Sequence, residues 1–176
     1  MLESAIRDEL LLRNVSERCS LPRVTQHQVR AITTAELSRF LQAIDGKQFR
    51  NIFFIDIFSG LRLSEILGLR WEDVDFDHDC IYVRQQLQQK QVKGDFGYFL
   101  APPKEGKQRK VILAQNAMRV LRHQRAKQHE QQLAAGALWD NSFHLVFTND
   151  FGQPLNRRTV YKHLKRILLD CGMGNY

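Results

Sequence analysis

The chain has 176 residues, 43% of them hydrophobic and 26% charged, a balance that excludes a disordered or low-complexity polymer. Lysines and arginines number 26 against 19 acids, and the net charge of +7 is by itself only a weak sign of a polyanionic partner. No run of about 18 apolar residues is present to span a bilayer. Acids at Glu3, Asp8 and Glu9 give no support to secretion. Cys19, Cys80 and Cys171 are too scattered for a disulfide framework or a Cys-x-x-Cys metal pair. They read as small buried apolar residues in a reducing cytoplasm.

In chain order, Leu2 to Arg13 reads as a helix, with Leu2, Ile6, Leu10 and Leu11 at helical spacing. Residues 16–31 are polar and linker-like, with a stop at Pro22. Thr33 and Glu36 have the spacing of a capping box, followed by the apolar stripe Leu37, Phe40, Leu41 and Ile44 and a stop at Gly46. Phe49 to Phe58 is dense in apolar residues. Asn51 and Asp56 break any alternation, so a buried helix is favoured over a buried strand. After Ser59-Gly60 a short helix presents Leu63, Ile66 and Leu67 inward and is capped by Gly68.

Strands are expected at 81–83, 96–100 and 111–113, forming a small three-stranded antiparallel sheet or meander. The last two flank a tight turn, Pro102-Pro103-Lys104-Glu105-Gly106-Lys107. A long polar helix runs from Asn116 to Ala135 and ends at Gly136. A short apolar run lies at Phe143–Phe147, and a last helix runs from Asn156 to Asp170 with Gly172 beyond it. The fold class is α+β, mostly helical around one small sheet.

Charge is segregated along this chain. From Arg84 to Arg125, ten basic residues face two acids, a net of +8 that exceeds the charge of the whole chain. A second basic run holds Arg157, Arg158, Lys162, Lys165 and Arg166, while acids gather at Glu72, Asp73, Asp75, Asp77 and Asp79. Such segregation suits a surface that tracks phosphates, though a solvated helix face has the same composition. Arg62 sits between two apolar segments, where a charge is costly unless paired or placed for a site. It can pair with Glu65 or the acids of residues 72–79, or it can hold a guanidinium fork toward a phosphate. Lys104 crowns a turn stiffened by two prolines, as an ordinary turn lysine or as a placed one. His-x-x-Arg occurs at His27/Arg30 and His163/Arg166, and both are expected by chance. No phosphate loop, hydrolase triad or metal-ligand spacing stands out, so neither a metal nor a cofactor is expected.

Phe58-Ser59-Gly60-Leu61-Arg62-Leu63-Ser64-Glu65-Ile66-Leu67-Gly68-Leu69-Arg70-Trp71-Glu72-Asp73-Val74-Asp75 resembles the first motif of the tyrosine recombinase (phage integrase) family at nearly every position. Pro103 to Leu113 is similar to the family's Lys-Gly-x-Lys-x-Arg hairpin, and Phe147-Thr148-Asn149 through the helix to Cys171-Gly172 follows the family's course. On this resemblance, 1–23 is the last helix and exit of a core-binding domain, 24–31 a linker, and 32–176 the N-terminal part of a catalytic domain. The family's His-x-Leu-Arg-His box and nucleophilic tyrosine belong beyond the last helix. The resemblance therefore implies a fragment that does not cleave DNA by itself.

The family breaks and rejoins duplex DNA without a metal or cofactor, through a phosphotyrosyl intermediate. The resemblance implies that Arg62 grips the phosphate, Lys104 protonates the leaving oxygen, and Glu65 orients the Arg62 helix. It makes Lys107, Arg109, Arg157 and Arg158 candidates for DNA-backbone contacts. Double-stranded DNA is the expected partner and no membrane is involved. Self-association on DNA is expected only with the C-terminal part present. A non-catalytic DNA-binding remnant is the alternative. An RNA-binding protein is less favoured, because Phe53, Phe54 and Phe58 read as core and no single-strand stacking platform is recognised.

Overall fold

The computed structural model describes residues 2–20, 31–90 and 97–174. The backbone divides into two units, Met1–Ala31 and Ile32–Tyr176. In the first, helix α1 covers only Leu2–Arg7 and buries none of its residues. The helix expected to reach Arg13 stops because Glu9 turns into the left-handed region (φ 58°), and Leu10 and Leu12 are exposed. One and a half turns that bury none of their residues give propagation little to build on. A 3₁₀ turn follows at Val15–Arg18, its start held by Asn14 Oδ1, which accepts from the Ser16 amide. Cys19 is exposed, contrary to the small buried residue expected there. The linker expected at 24–31 falls almost wholly outside the described residues.

The second unit begins with α2, Thr34–Ala43. Its capping box forms as the spacing predicts: the Thr33 amide donates to Glu36 Oε2 at 2.9 Å, and the Glu36 amide donates to Thr33 Oγ1 at 3.3 Å. The apolar run 49–58 is a helix, α3 at Arg50–Ser59, set between two left-handed residues, Phe49 (φ 65°) and Gly60 (φ 62°). It buries Ile52, Phe53 and Ile55, which are at most 2% exposed. Phe54 and Phe58 are partly buried against the same core, with rings 4.6 Å apart. A short α4, Leu63–Leu67, sends Ile66 and Leu67 into that core, while Leu63 is only half-buried.

Among the described residues there are two small antiparallel sheets rather than one. β1 (Val74–Asp75), β2 (Cys80–Val83) and β5 (Arg109–Ile112) form a three-stranded sheet in the order β1-β2-β5. β3 (Gln86–Gln89) pairs with β4 (Tyr98–Ala101) as a separate ribbon, Gln86 opposite Ala101 and Gln89 opposite Tyr98. The strand expected at 96–100 is found at Tyr98–Ala101 and the one expected at 111–113 at Arg109–Ile112, but the two do not ladder with each other. Pro102 and Pro103 have no N–H to donate, which ends the ladder at Ala101. The chain then crosses to the free edge of β2, where Val83 faces Arg109.

Helix α5, Gln115–Ala135, ends at Gly136 (φ 52°), and α6, Arg157–Asp170, starts at Asn156, whose Oδ1 accepts from the Arg158 amide at 2.8 Å. Leu145, Val146 and Phe147 are buried without forming a regular strand. Two buried amides of α5 hold them: Gln124 donates to the Val146 carbonyl at 3.2 Å, and Gln128 donates to the Leu145 carbonyl at 3.0 Å. Gln128 also accepts from the Trp71 indole at 2.6 Å, so each buried polar group on this seam is satisfied. His163 packs its ring edge-on to Phe49 with centroids 5.1 Å apart, a packing role that fits the chance origin of its spacing to Arg166.

Gly68, at the end of α4, lies directly on the β3 backbone. A Cβ built there would sit 2.5 Å from the Leu87 nitrogen and 2.8 Å from the Gln86 carbonyl carbon. Neither atom can move without breaking the ribbon. Gly68→Ala is therefore expected to lower unfolding free energy by about 1–3 kcal/mol, as overpacking does. Urea unfolding followed by far-UV circular dichroism measures it, and an unchanged midpoint would contradict the close approach.

Candidate nucleic-acid interface

Glu65 is the third residue of α4, with its side chain 1% exposed. Its carboxylate accepts four hydrogen bonds from two places in the chain. From its own helix start come the Arg62 amide at 2.9 Å and Arg62 Nη1 at 3.3 Å. From β5 come Arg109 Nη1 at 3.1 Å and Nη2 at 2.7 Å, a bidentate fork. Two carboxylate oxygens offer about four acceptor positions, so Glu65 is saturated. Burial pushes its pKa up, but the hydrogen bonds from Arg109 and Arg62 together outweigh that and hold it below the usual glutamate value. The same bonds raise the pKa of Arg109.

Arg62 is held at one end only. Its backbone precedes α4 in an extended conformation (φ −69°, ψ 144°), and its side chain is 59% exposed. Among the described residues, its Nε and Nη2 have no partner. The sequence left open whether Arg62 pairs with an acid or faces outward, and the geometry does both: one nitrogen on Glu65, the remaining edge toward solvent.

Both stems of the 102–108 turn are tied to α4. Ser64 Oγ donates to Gln86 Oε1 at 3.2 Å, and Gln86 Nε2 donates to the Pro102 carbonyl at 2.8 Å. On the far side of the turn, Arg109 grips Glu65. Pro103 is buried, and Gly106 adopts φ 68°. Between these anchors Lys104 opens a 3₁₀ turn, Lys104–Gly106, and is exposed. The chain thus fixes the turn bearing Lys104 relative to the helix start bearing Arg62. Lys107 is exposed on the same turn.

Arg157 and Arg158 are exposed at the start of α6 and line a groove of about 960 Å³ together with Leu63, Ser64 and Gln86. Among the described residues neither has an ion pair. Ser64, Gln86 and Asp56 were not singled out in the sequence. Gln86 is masked within a glutamine-rich stretch, and Ser64 gains meaning only once β3 is seen against α4. Of the sequence-selected residues, Arg62, Glu65 and Arg109 meet at the start of α4, Lys104 stands on the turn whose stems are tied to that helix, and Arg157 and Arg158 line the adjoining groove. Arg109 differs from expectation in occupation: its fork is on Glu65 rather than open to a DNA backbone. Among the described residues no cluster of His, Cys, Asp or Glu could hold a metal, and no helix is long and apolar enough to cross a membrane.

The Phage integrase family model matches residues 23–175, and the chain belongs to that family, the tyrosine recombinases. It is 26% identical over 154 residues to a "Tyrosine recombinase XerC-like" protein of Caldanaerobacter subterraneus subsp. tengcongensis, a match that takes in 83% of this chain and 39% of the relative. It is 24% identical over 171 residues to an integrase of Streptomyces ambofaciens, covering 97% of this chain and 44% of that one. The fold is similar to that of the Tn1549 transposon integrase solved in complex with transposon right end DNA: TM-score 0.75 at 23% identity, over 96% of this chain and 54% of that one. The chain therefore spans about half the length, or less, of the relatives it matches.

Asp56 of α3 also lines the groove, beside Phe53, Leu67 and Leu164. Its carboxyl has no hydrogen-bond partner among the described residues, and burial pushes its pKa up to about 6. A raised acid binds its proton more tightly in the folded chain. Stability from this group is full below the unfolded value of 3.8 and falls as pH rises toward 6. Asp56→Asn is expected to raise the melting temperature at pH 7.5 by about 2–5 °C and to leave it nearly unchanged at pH 4. An equal effect at both pH values would contradict a charge-burial origin.

Proposed function

We propose that this chain is the phosphate-gripping half of a site-specific DNA recombinase, and that duplex DNA lies across the α4 start, the 102–108 turn and the α6 start. The observation that carries the reading is Arg62: a guanidinium held at one nitrogen by a buried carboxylate that Arg109 shares, with its other edge exposed. The Glu65 contact sets where the guanidinium stands without closing its outer edge, which is left open for a phosphate's non-bridging oxygens. Lys104, on a turn pinned at both stems, is the general acid for the leaving oxygen. Lys107, Arg157 and Arg158 take neighbouring backbone phosphates and set the register of the duplex. Family membership and the DNA complex of the Tn1549 integrase support the same partner.

In this reading strand cleavage is metal-free and passes through a phosphotyrosyl link. The tyrosine and the second phosphate-binding arginine come from the part of the relatives that this chain does not match. Residues 1–23 then belong to a core-binding domain with 24–31 as its linker, and any self-association on DNA rests on the part of the relatives that this chain does not match. Three unpaired cysteines suit the reducing cytoplasm where the DNA would be met.

Fluorescence polarisation with a labelled duplex tests the DNA reading. Log affinity should fall linearly with log salt, by about 0.9 per phosphate neutralised. Arg62→Ala should weaken binding about tenfold and lower the salt slope by about 1. Salt-insensitive binding, or an Arg62→Ala variant that binds like the parent chain, would overturn the assignment.

A further inference from the structure

We infer that Arg109 is a positioning residue that keeps Glu65 from capturing Arg62, and so leaves the outer edge of Arg62 available for a phosphate. The inference rests on the phosphate reading of Arg62, and it replaces the direct backbone contact that strand position alone suggested for Arg109.

Two guanidinium groups share one carboxylate, and they share it unequally. Arg109 takes both oxygens, at 2.7 and 3.1 Å. Arg62 makes a single long side-chain contact, at 3.3 Å. A carboxylate with its side chain only 1% exposed requires near-complete hydrogen bonding to stay charged. With Arg109 withdrawn, Glu65 would lose two of its four donors. The nearest cation able to replace them is Arg62, one helical turn away and already in contact. Its fork would close on both oxygens and its second edge would turn inward. With Arg109 in place, the cluster of one acid and two arginines carries a net +1 and still offers Arg62 outward. Arg109 does this from the far stem of the turn that carries Lys104, so one side chain settles both the aim of Arg62 and the seat of that turn.

The first arm of the test needs no DNA. In the parent chain, nitrogen NMR of the arginine side chains should show the Arg62 Nη groups averaged by rotation, because only one long contact restrains them. In Arg109→Gln they should split into separate signals, as a bidentate pair requires. Unchanged Arg62 signals in that variant would overturn the inference whatever the DNA does. The second arm is a double-mutant cycle in duplex binding. Arg109→Gln should weaken binding about as much as Arg62→Ala, and the double variant should be no weaker than Arg62→Ala alone. Adding Glu65→Gln to Arg109→Gln removes the competing charge and should recover most of the loss. Additive losses, or no recovery, would mean that Arg109 touches phosphate itself or acts only on stability. Should Arg109→Gln fail to fold, Arg109→Lys keeps the charge without the fork, and partial splitting with a partial loss is expected. If Arg62→Ala itself binds like the parent chain, the phosphate reading fails while the NMR arm still decides the competition for Glu65.

Discussion

One buried carboxylate organises this molecule. Glu65 joins a helix start to a strand 44 residues later in sequence, through the Arg62 backbone amide on one side and the Arg109 guanidinium fork on the other. Burying an acid is costly, and the cost is offset only while both partners hold their geometry. The arrangement therefore behaves as a unit. It fixes how α4 begins, where the 102–108 turn leaves the sheet, and which nitrogens of Arg62 remain outside.

Around that unit the fold uses side-chain amides where regular ladders are missing. Ser64, Gln86 and Pro102 form a chain of hydrogen bonds from α4 through the β3–β4 ribbon to the near stem of the turn. Gln124 and Gln128 do the same for residues 145–147, which lie in the core with only an isolated bridge from Leu145 to Arg70. A buried amide contributes only modestly to stability when satisfied and destabilises strongly when orphaned, so these links favour one arrangement over its neighbours. On the proposed duplex-binding reading, in which several cations meet a regularly spaced polyanion, a single arrangement matters more than added stability.

Much of the helical frame could be read from residues alone. Thr33 and Glu36 announced a capping box. Asn51 and Asp56 argued against a strand at 49–58, and Gly60, Gly136 and Gly172 marked turns that do take positive φ. The strands were less legible. β1 is two residues long, and β3 shows one buried apolar residue, Leu87, among glutamines, so neither carries an alternation to detect. The helix drawn to Arg13 overshot because spacing ignores whether a partner surface exists for Leu10 and Leu11. The site was legible as a set of residues and not as a set of contacts. Arg62, Glu65 and Lys104 followed from a motif, but the grip of Arg109 on Glu65 depends on the register of β5 against β2, which no local pattern encodes.

The most direct test of this account is the titration of the Glu65 carboxyl, followed by its side-chain carbon signal in NMR. Burial works to raise its pKa, and the hydrogen bonds from Arg109 and Arg62 work to lower it, with the arginines prevailing. Glu65 should therefore stay ionised through the range near 4.3 where ordinary glutamates titrate, roughly as model peptides define it. Its contribution to stability should be present above that range and be lost only as pH falls through the lower folded value. A midpoint at or above the ordinary glutamate value would mean that the arginines do not hold the carboxylate, and the organisation described for Arg62 and the Lys104 turn would fall with it.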